Sequence, residues 1–350
     1  MVNENSTLSY MKNQYKHYLG VDVSKKTLDL ALVTQGDLST MEHCQVDNTI
    51  QGIRKLTGWL KGRGIAWSDL LVCMEYTGIY NRPLVNHLLK EAIALWLELP
   101  ISIKRSLGLQ RGKSDKLDAM RIAEYAVRFH DKARLWQPSS QSLLRLKDLL
   151  ALRQRLNKCV QMLKAPIREL KAIGEKSSAA ALERHCKEPL RKLEKEQKRV
   201  EETLRELIGK DRSLNGNYKL LQTVPGIGPV AAIELIASTN NFLHYDNPKQ
   251  LACYAGCAPF PNSSGTSLQG RRRVSKMANM RLKTVLTLGV WSQIKRKAGT
   301  ISTYYQRKIQ QGKAPYQAIN AARNKILHLA LAVVRTQQPY DPNYQNRCAA

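Results

Sequence analysis

YLGVDVSKKTLDLALV, residues 18–33, decides how this chain is read. An apolar run, a short polar break and a second apolar run predict a buried strand, a turn and its hairpin partner, at 18–23 and 28–34. Asp22 lies inside the first strand, where an ionised carboxylate is a poor core residue unless something pairs with it. LLVCMEYTG, residues 70–78, repeats the anomaly with Glu75 at the end of another apolar strand. KSDKLDAMRIAEYAV, residues 113–127, then opens a helical pattern with Asp115 and Asp118, three apart and so on one face. Four carboxylates converging at strand ends and one helix would repel unless a cation neutralised them. Hard divalent ions such as Mg2+ or Mn2+ take oxygen ligands, and paired metals serve phosphoryl transfer. The plainer account makes Asp115 a helix cap and Asp118 a first-turn partner of the helix dipole. Asp29 alternates onto the opposite side of its hairpin, where solvation is expected.

Around this stretch the pattern predicts further strands at 41–47, 70–75 and 93–98 and helices at 50–62, 80–91 and 115–129. Three strands in succession, then helix and strand in alternation, suit an α/β domain with a mixed sheet over residues 1–139. Catalytic groups commonly sit at the carboxyl ends of such strands. Lys104, Arg105, Arg111, Lys113 and Lys116 surround the last two acids. They suit phosphate-backbone contacts that would bring nucleic acid to the site.

Residues 140–212 carry no strand signal. Leu149, Leu152, Leu156, Cys159 and Leu163 repeat at alternating spacings of three and four, the seam of a coiled coil. Pro166 is expected to interrupt that helix, and a second helical run covers about 178–208. Two long antiparallel helices are predicted, an oligomerisation hairpin or a pair packed on its own domain.

Residues 213–350 form the third segment, mainly helical. LLQTVPGIGPVAAIELIAS, residues 220–238, has the form of a helix-hairpin-helix. Gly226 and Gly228 permit close backbone approach, Pro229 suits a first helical turn, and the N–H groups there can hold a phosphate. A loop is expected in PFPNSSGTSLQGRRRVSKMANMRLKTVL, residues 259–286, with Ser263, Ser264 and Ser267 near Arg271, Arg272, Arg273 and Lys276. A serine there could attack a phosphodiester if activated, with the arginines stabilising the developing charge.

The chain has 350 residues and a formal net charge of +28, with Lys and Arg outnumbering Asp and Glu by 56 to 28. That balance calls for a polyanionic partner, nucleic acid above all. No apolar run long enough to cross a membrane and no apolar signal-peptide core occur, so a cytoplasmic, reduced setting is expected. Cys253 and Cys257 form a lone C-x3-C without a second pair, which reads as buried thiols rather than a zinc site.

Taken together, GVDVSK, MEYTG, KSDKLDA, VPGIGPVAA and the SSG–GRRRVSK block resemble the DEDD transposases of the insertion sequence one-ten family, and its "eleven-eleven" subgroup in the VPGIG and SGTS–RRR spacings. The resemblance runs over residues 18–300. It implies a RuvC-like (ribonuclease-H-like) domain, a coiled-coil insertion and a C-terminal transposase domain with an essential serine. Carried over, the quartet is Asp22, Glu75, Asp115 and Asp118, and the serine is Ser264, directly before Gly265, with Ser263 as runner-up. The same resemblance implies recombination of donor and target DNA through a phosphoserine, guidance by a bridge RNA, and dimers assembling to tetramers with a composite site. From the residues alone, a RuvC-like Holliday-junction resolvase or nuclease and a non-catalytic nucleic-acid-binding protein stay open.

Overall fold

A computed structural model describes residues 15–76, 78–108, 111–112, 114–243, 245–264 and 268–344. They fall into two compact units that divide after Pro138.

The first unit opens with β1 (His17–Val23), β2 (Thr27–Thr34) and β3 (Asp37–Asp47), then α1 (Ile50–Lys61), β4 (Leu70–Glu75), α2 (Arg82–Lys90), β5 (Ala94–Glu98), α3 (Pro100–Ser106) and α4 (Asp115–Phe129). The sheet order is β3-β2-β1-β4-β5, antiparallel across the first three strands and parallel from β1 to β4 to β5. This is the mixed sheet the alternation predicts. β3 begins earlier than the pattern predicts, and α3 is a helix that the pattern does not predict. Its start, Pro100 in the first turn, carries the helix signal that seven residues are too short to show as a periodicity.

Period-two alternation sends side chains to two separate cores. Leu19, Val21, Val23, Leu28, Leu30 and Leu32 pack on α1 and α2. Tyr18, Ala31, Val33, Leu71, Cys73 and Trp96 pack under α4. Gly20 falls on the α4 face, and its missing Cβ is what lets α4 lie directly on β1.

The second unit begins with α5 (Gln141–Ala172) and α6 (Lys176–Lys210). Lys171–Glu183, Lys164–Glu194 and Arg153–Glu201 ion pairs step in opposite directions along the two helices, so they run antiparallel. Two expectations fail here, the break at Pro166 and the register of the seam. α5 continues through Pro166, while α6 runs through Pro189 as the expected second helix does. The buried positions of α5 are Leu143, Leu146, Leu150, Val160 and Ile167, again at spacings that follow three and four but in another register. Leu152 and Cys159 of the expected seam are exposed, and Leu149 and Leu156 are only partly buried.

Then come α7 (Arg212–Thr223), α8 (Pro229–Ser238), α9 (Pro248–Tyr254), β6 (Pro259–Ser264), β7 (Leu268–Val274), α10 (Met280–Arg296), α11 (Thr300–Gln310) and α12 (Pro315–Thr336). One core joins the base of the long hairpin (Leu146, Leu150, Leu204, Ile208) to α8, α10 and α12. The segment expected to be a loop is a two-stranded antiparallel hairpin, β6 with β7. Of the C-x3-C pair, Cys257 is buried but Cys253 is exposed. Among the described residues no helix is long and apolar enough to cross a membrane.

Candidate active site

The register of the sheet assembles the site. Val21 on β1 pairs with Met74 on β4, so the next residues, Asp22 and Glu75, stand side by side at the carboxyl ends of two parallel strands. Asp22 lies opposite Asp29 on β2, and Glu75 opposite Glu98 on β5. α4 crosses the same face, and its first turn carries Asp115 and Asp118.

Ser114, not Asp115, caps α4: its Oγ accepts from the Leu117 N–H at 3.2 Å. Asp115 is therefore spare and exposed. Asp118 accepts from Arg121 Nη1 at 2.8 Å, while Arg121 Nη2 donates to the carbonyls of Arg111 and Gly112 at 2.9 and 3.0 Å. One guanidinium thus ties the approach segment to the helix face that bears the acid.

The neighbouring acids act on Asp22 and Glu75. Burial, followed by the charges of Asp115, Asp118, Glu75 and Asp29, pushes the Asp22 carboxyl from its ordinary 3.8 up to about 6. Burial and the charge of Asp118 also push Glu75 up. Both shifts disfavour the charged form, as burial and neighbouring like charges do. Among the described residues, however, no three His, Cys, Asp or Glu side chains stand close enough to hold a metal as they are placed. The quartet shares a neighbourhood, not a finished ligand shell. Its donor set, oxygens only, is that of a hard divalent cation.

Asp29 departs from expectation. It is 2% exposed, on the same face as Asp22, and held by Gln45 and His43. Directly opposed residues of an antiparallel pair share a face, which the hairpin register gives once it is known.

Of the basic residues, Lys104 and Arg105 are exposed in the last turn of α3, and Arg111 and Lys116 are exposed around the start of α4. Lys113 lies outside the described residues.

In the second unit, Gly226 has φ +93° and a Cβ there would meet Ile326 at 2.9 Å, so this glycine turns inward. Gly228 has open space around it and precedes the exposed Pro229 at the α8 start. Gly226 and Gly228 therefore play different parts, packing and access. Ser263 and Ser264 pair with Gln269 and Leu268 at the end of the β6–β7 hairpin, and Gly265, Thr266 and Ser267 lie outside the described residues. Arg271 is part of β7, and Arg272, Arg273 and Lys276 are exposed.

Comparison with known sequences matches residues 19–171 to the transposase domain family DEDD_Tnp_IS110 and residues 218–306 to the Transposase IS116/IS110/IS902 family. The first span contains all four acids and the second contains Ser264. The chain belongs to the IS110/IS116/IS902 family of transposases.

Two relatives align with nearly the whole length of this transposase. The pilin gene-inverting proteins of Moraxella bovis and Moraxella lacunata are 28% and 29% identical over 330 residues, 93% of this chain and 98% of each relative. The transposase for insertion sequence element IS1111A of Coxiella burnetii is 26% identical, over 69% of this chain and 70% of its own. Among solved structures, T. thermophilus RuvC in complex with a Holliday junction substrate aligns over 35% of this chain and all of its own, at 12% identity. Its TM-score of 0.26 is too low to support an argument. The enzyme class is that of a DNA transposase or recombinase.

Proposed function

We propose that this transposase cuts and rejoins DNA in a metal-dependent reaction centred on Asp22, Glu75, Asp115 and Asp118, with Ser264 carrying the cut strand. The observation that supports it most is that the ends of β1 and β4 and the first turn of α4 bring the four acids to one side of the sheet, where burial, and after it the charges of Asp115, Asp118 and Glu75, push Asp22 up to about 6. In this reading residues 1–139 are a RuvC-like catalytic domain, 140–212 an oligomerisation coiled coil, and 213–350 a transposase domain with a helix-hairpin-helix. The strand order β3-β2-β1-β4-β5 supports the first assignment.

The four carboxylates would hold Mg2+ or Mn2+ once their side chains turn toward one another. When bound, the cation supplies charge neutralisation and activation of the attacking hydroxyl. Asp22 and Glu75 come from rigid strand ends and fix the deep side of the site. Asp115 and Asp118 come from the helix start and close it, with Arg121 orienting Asp118. Lys104, Arg105, Arg111, Lys113 and Lys116 bind the flanking phosphates.

In strand transfer, the Ser264 oxygen forms a bond to phosphorus as the deoxyribose oxygen leaves. One phosphoester replaces another, so rejoining needs no ATP. Arg271, Arg272, Arg273 and Lys276 offset charge on the phosphate, and Gly228 presents its N–H side to the backbone of a second strand. A bridge RNA pairing with donor and target DNA would choose the sites, and a dimer assembling to a tetramer would hold them. Relatives named for gene inversion and for transposition both require such cutting and rejoining. Action on bacterial DNA places the protein in the cytoplasm, at the nucleoid.

The test is strand cleavage by Asp118→Asn, which keeps shape and removes one charge. Cleavage should fall at least about 10²-fold, the scale of a lost charge-stabilising group. Wild-type cleavage by this variant would refute the assignment.

A further inference from the structure

Leu28 and Leu30 fill the core beneath α1 and α2, so alternation turns Asp29 to the α4 side of the sheet. There it is 2% exposed. Gln45 Nε2 donates to both of its oxygens, at 3.2 and 3.0 Å, and His43 Nε2 lies 2.9 Å from Oδ1. Both partners come from β3, and Gln45 stands directly across the ladder from Asp29. On its other side Asp29 stands directly across from Asp22. A single row therefore crosses the sheet on the α4 face: Gln45, Asp29, Asp22, Glu75 and Glu98.

A buried carboxylate next to another carboxylate is costly. The sheet does not need it, because the backbone ladder already joins β2 to β3. An apolar residue here would continue the core formed by Ala31 and Val33 at lower cost. The chain instead supplies two polar side chains from a third strand to fix this one charge in place.

We propose that Asp29 is a positioning residue of the acid site: a fixed negative charge behind Asp22, held in direction by His43 and Gln45, which acts through Asp22 to strengthen its grip on a divalent cation. The inference rests on the metal-dependent reading of the quartet. It adds a residue that is not one of the four acids and need not touch the cation. Groups that orient ligands from behind typically change metal affinity by 10–100-fold when lost.

Mn2+ binding to the full chain, followed by the spin-resonance signal of free Mn2+, tests it without any DNA. Wild type, Asp29→Asn, Gln45→Leu and Asp22→Asn are titrated well below their unfolding midpoints, which are recorded in EDTA. Asp29→Asn keeps the shape, and rotation of the Gln45 amide restores a hydrogen bond. It should unfold in EDTA no earlier than wild type, since a like charge beside Asp22 is gone, yet bind Mn2+ about 10–100-fold more weakly. Binding within twofold of wild type, while Asp22→Asn loses it, would overturn the role of Asp29 and leave the metal reading intact. If Asp29→Asn does not fold, Gln45→Leu gives the answer. It leaves the charge but frees its direction, and affinity should drop several-fold; unchanged affinity overturns the proposal. Should wild type bind no Mn2+, or Asp22→Asn bind as wild type does, the metal reading itself falls and this inference with it.

Discussion

Gly20 and Ala123 touch through their backbones: a Cβ on Gly20 would lie 2.2 Å from the Ala123 nitrogen and 2.4 Å from the Ala119 carbonyl oxygen. The contact sets how close α4 lies to β1, and so how close Asp118 lies to Asp22. Gly20→Ala must push the helix away. We expect a loss of about 1–3 kcal/mol in the unfolding free energy, typical of overpacking. Cleavage should fall more than stability predicts, because the acids separate. Urea unfolding alongside cleavage rates checks this; an unchanged rate in a folded variant would show that helix placement does not set the site.

The raised Asp22 gives a pH dependence. Its carboxyl titrates near 6 in the folded chain against 3.8 ordinarily. Stability from this group is complete below about pH 4 and is lost as pH rises through 6. A bound cation reverses that loss, since it favours the charged form. Mg2+ or Mn2+ should therefore raise the thermal midpoint more at pH 7.5 than at pH 5. Equal shifts at the two pH values would separate the cation from Asp22.

The fold was legible where pattern and spacing are local. β1, β2 and α4 follow from residues 18–33 and 113–127 alone; Asp22 and Glu75 stand out by their misfit in apolar strands, and Asp115 and Asp118 by their spacing on one helix face. Asp29 was not legible, because its partners His43 and Gln45 lie 14 and 16 residues away on another strand. The seam of α5 was missed for a related reason. Leucines stand in two overlapping registers, and only packing against α6 and α8 selects Leu143, Leu146 and Leu150. Pro166 ends nothing, because its missing N–H orphans the carbonyl of Met162, a residue 73% exposed, where water can serve. The β6–β7 hairpin hid behind serines and glycines that read as loop.

The two registers make opposite predictions. Leu150→Ala removes a fully buried side chain and should destabilise the second unit by about 2–5 kcal/mol. Leu152→Gln with Cys159→Ser lies on the exposed side of the expected seam and should leave unfolding unchanged. If copies pair through that side of the hairpin, the double variant lowers the mass seen by light scattering. An unchanged mass with full recombination would mean that the hairpin serves only its own chain.

Nucleic-acid affinity should depend steeply on salt, given the net charge of +28. Between about 50 and 200 mM it should drop on the order of 10³-fold if six phosphates are neutralised. Replacing Arg272 and Arg273 with Gln should weaken binding across sequences and flatten the salt slope by about one per lost contact. A flat response in the wild type would point to a different partner.

Ser264→Ala removes one hydroxyl and no charge, so nucleic-acid binding should persist. Recombinant product should be absent, and Ser263→Ala should be much milder. Recombination by Ser264→Ala, or an adduct that maps to Ser263, would move the nucleophile.

The measurement that bears most directly on acids and serine working together is the yield of covalent protein–DNA adduct on a labelled recombination substrate. It is taken for wild type in Mg2+, wild type in EDTA, and Asp22→Asn in Mg2+. Adduct is expected in full yield in the first alone, with the others lower by at least about 10²-fold. Adduct at the wild-type level in EDTA, or from Asp22→Asn, would contradict that expectation.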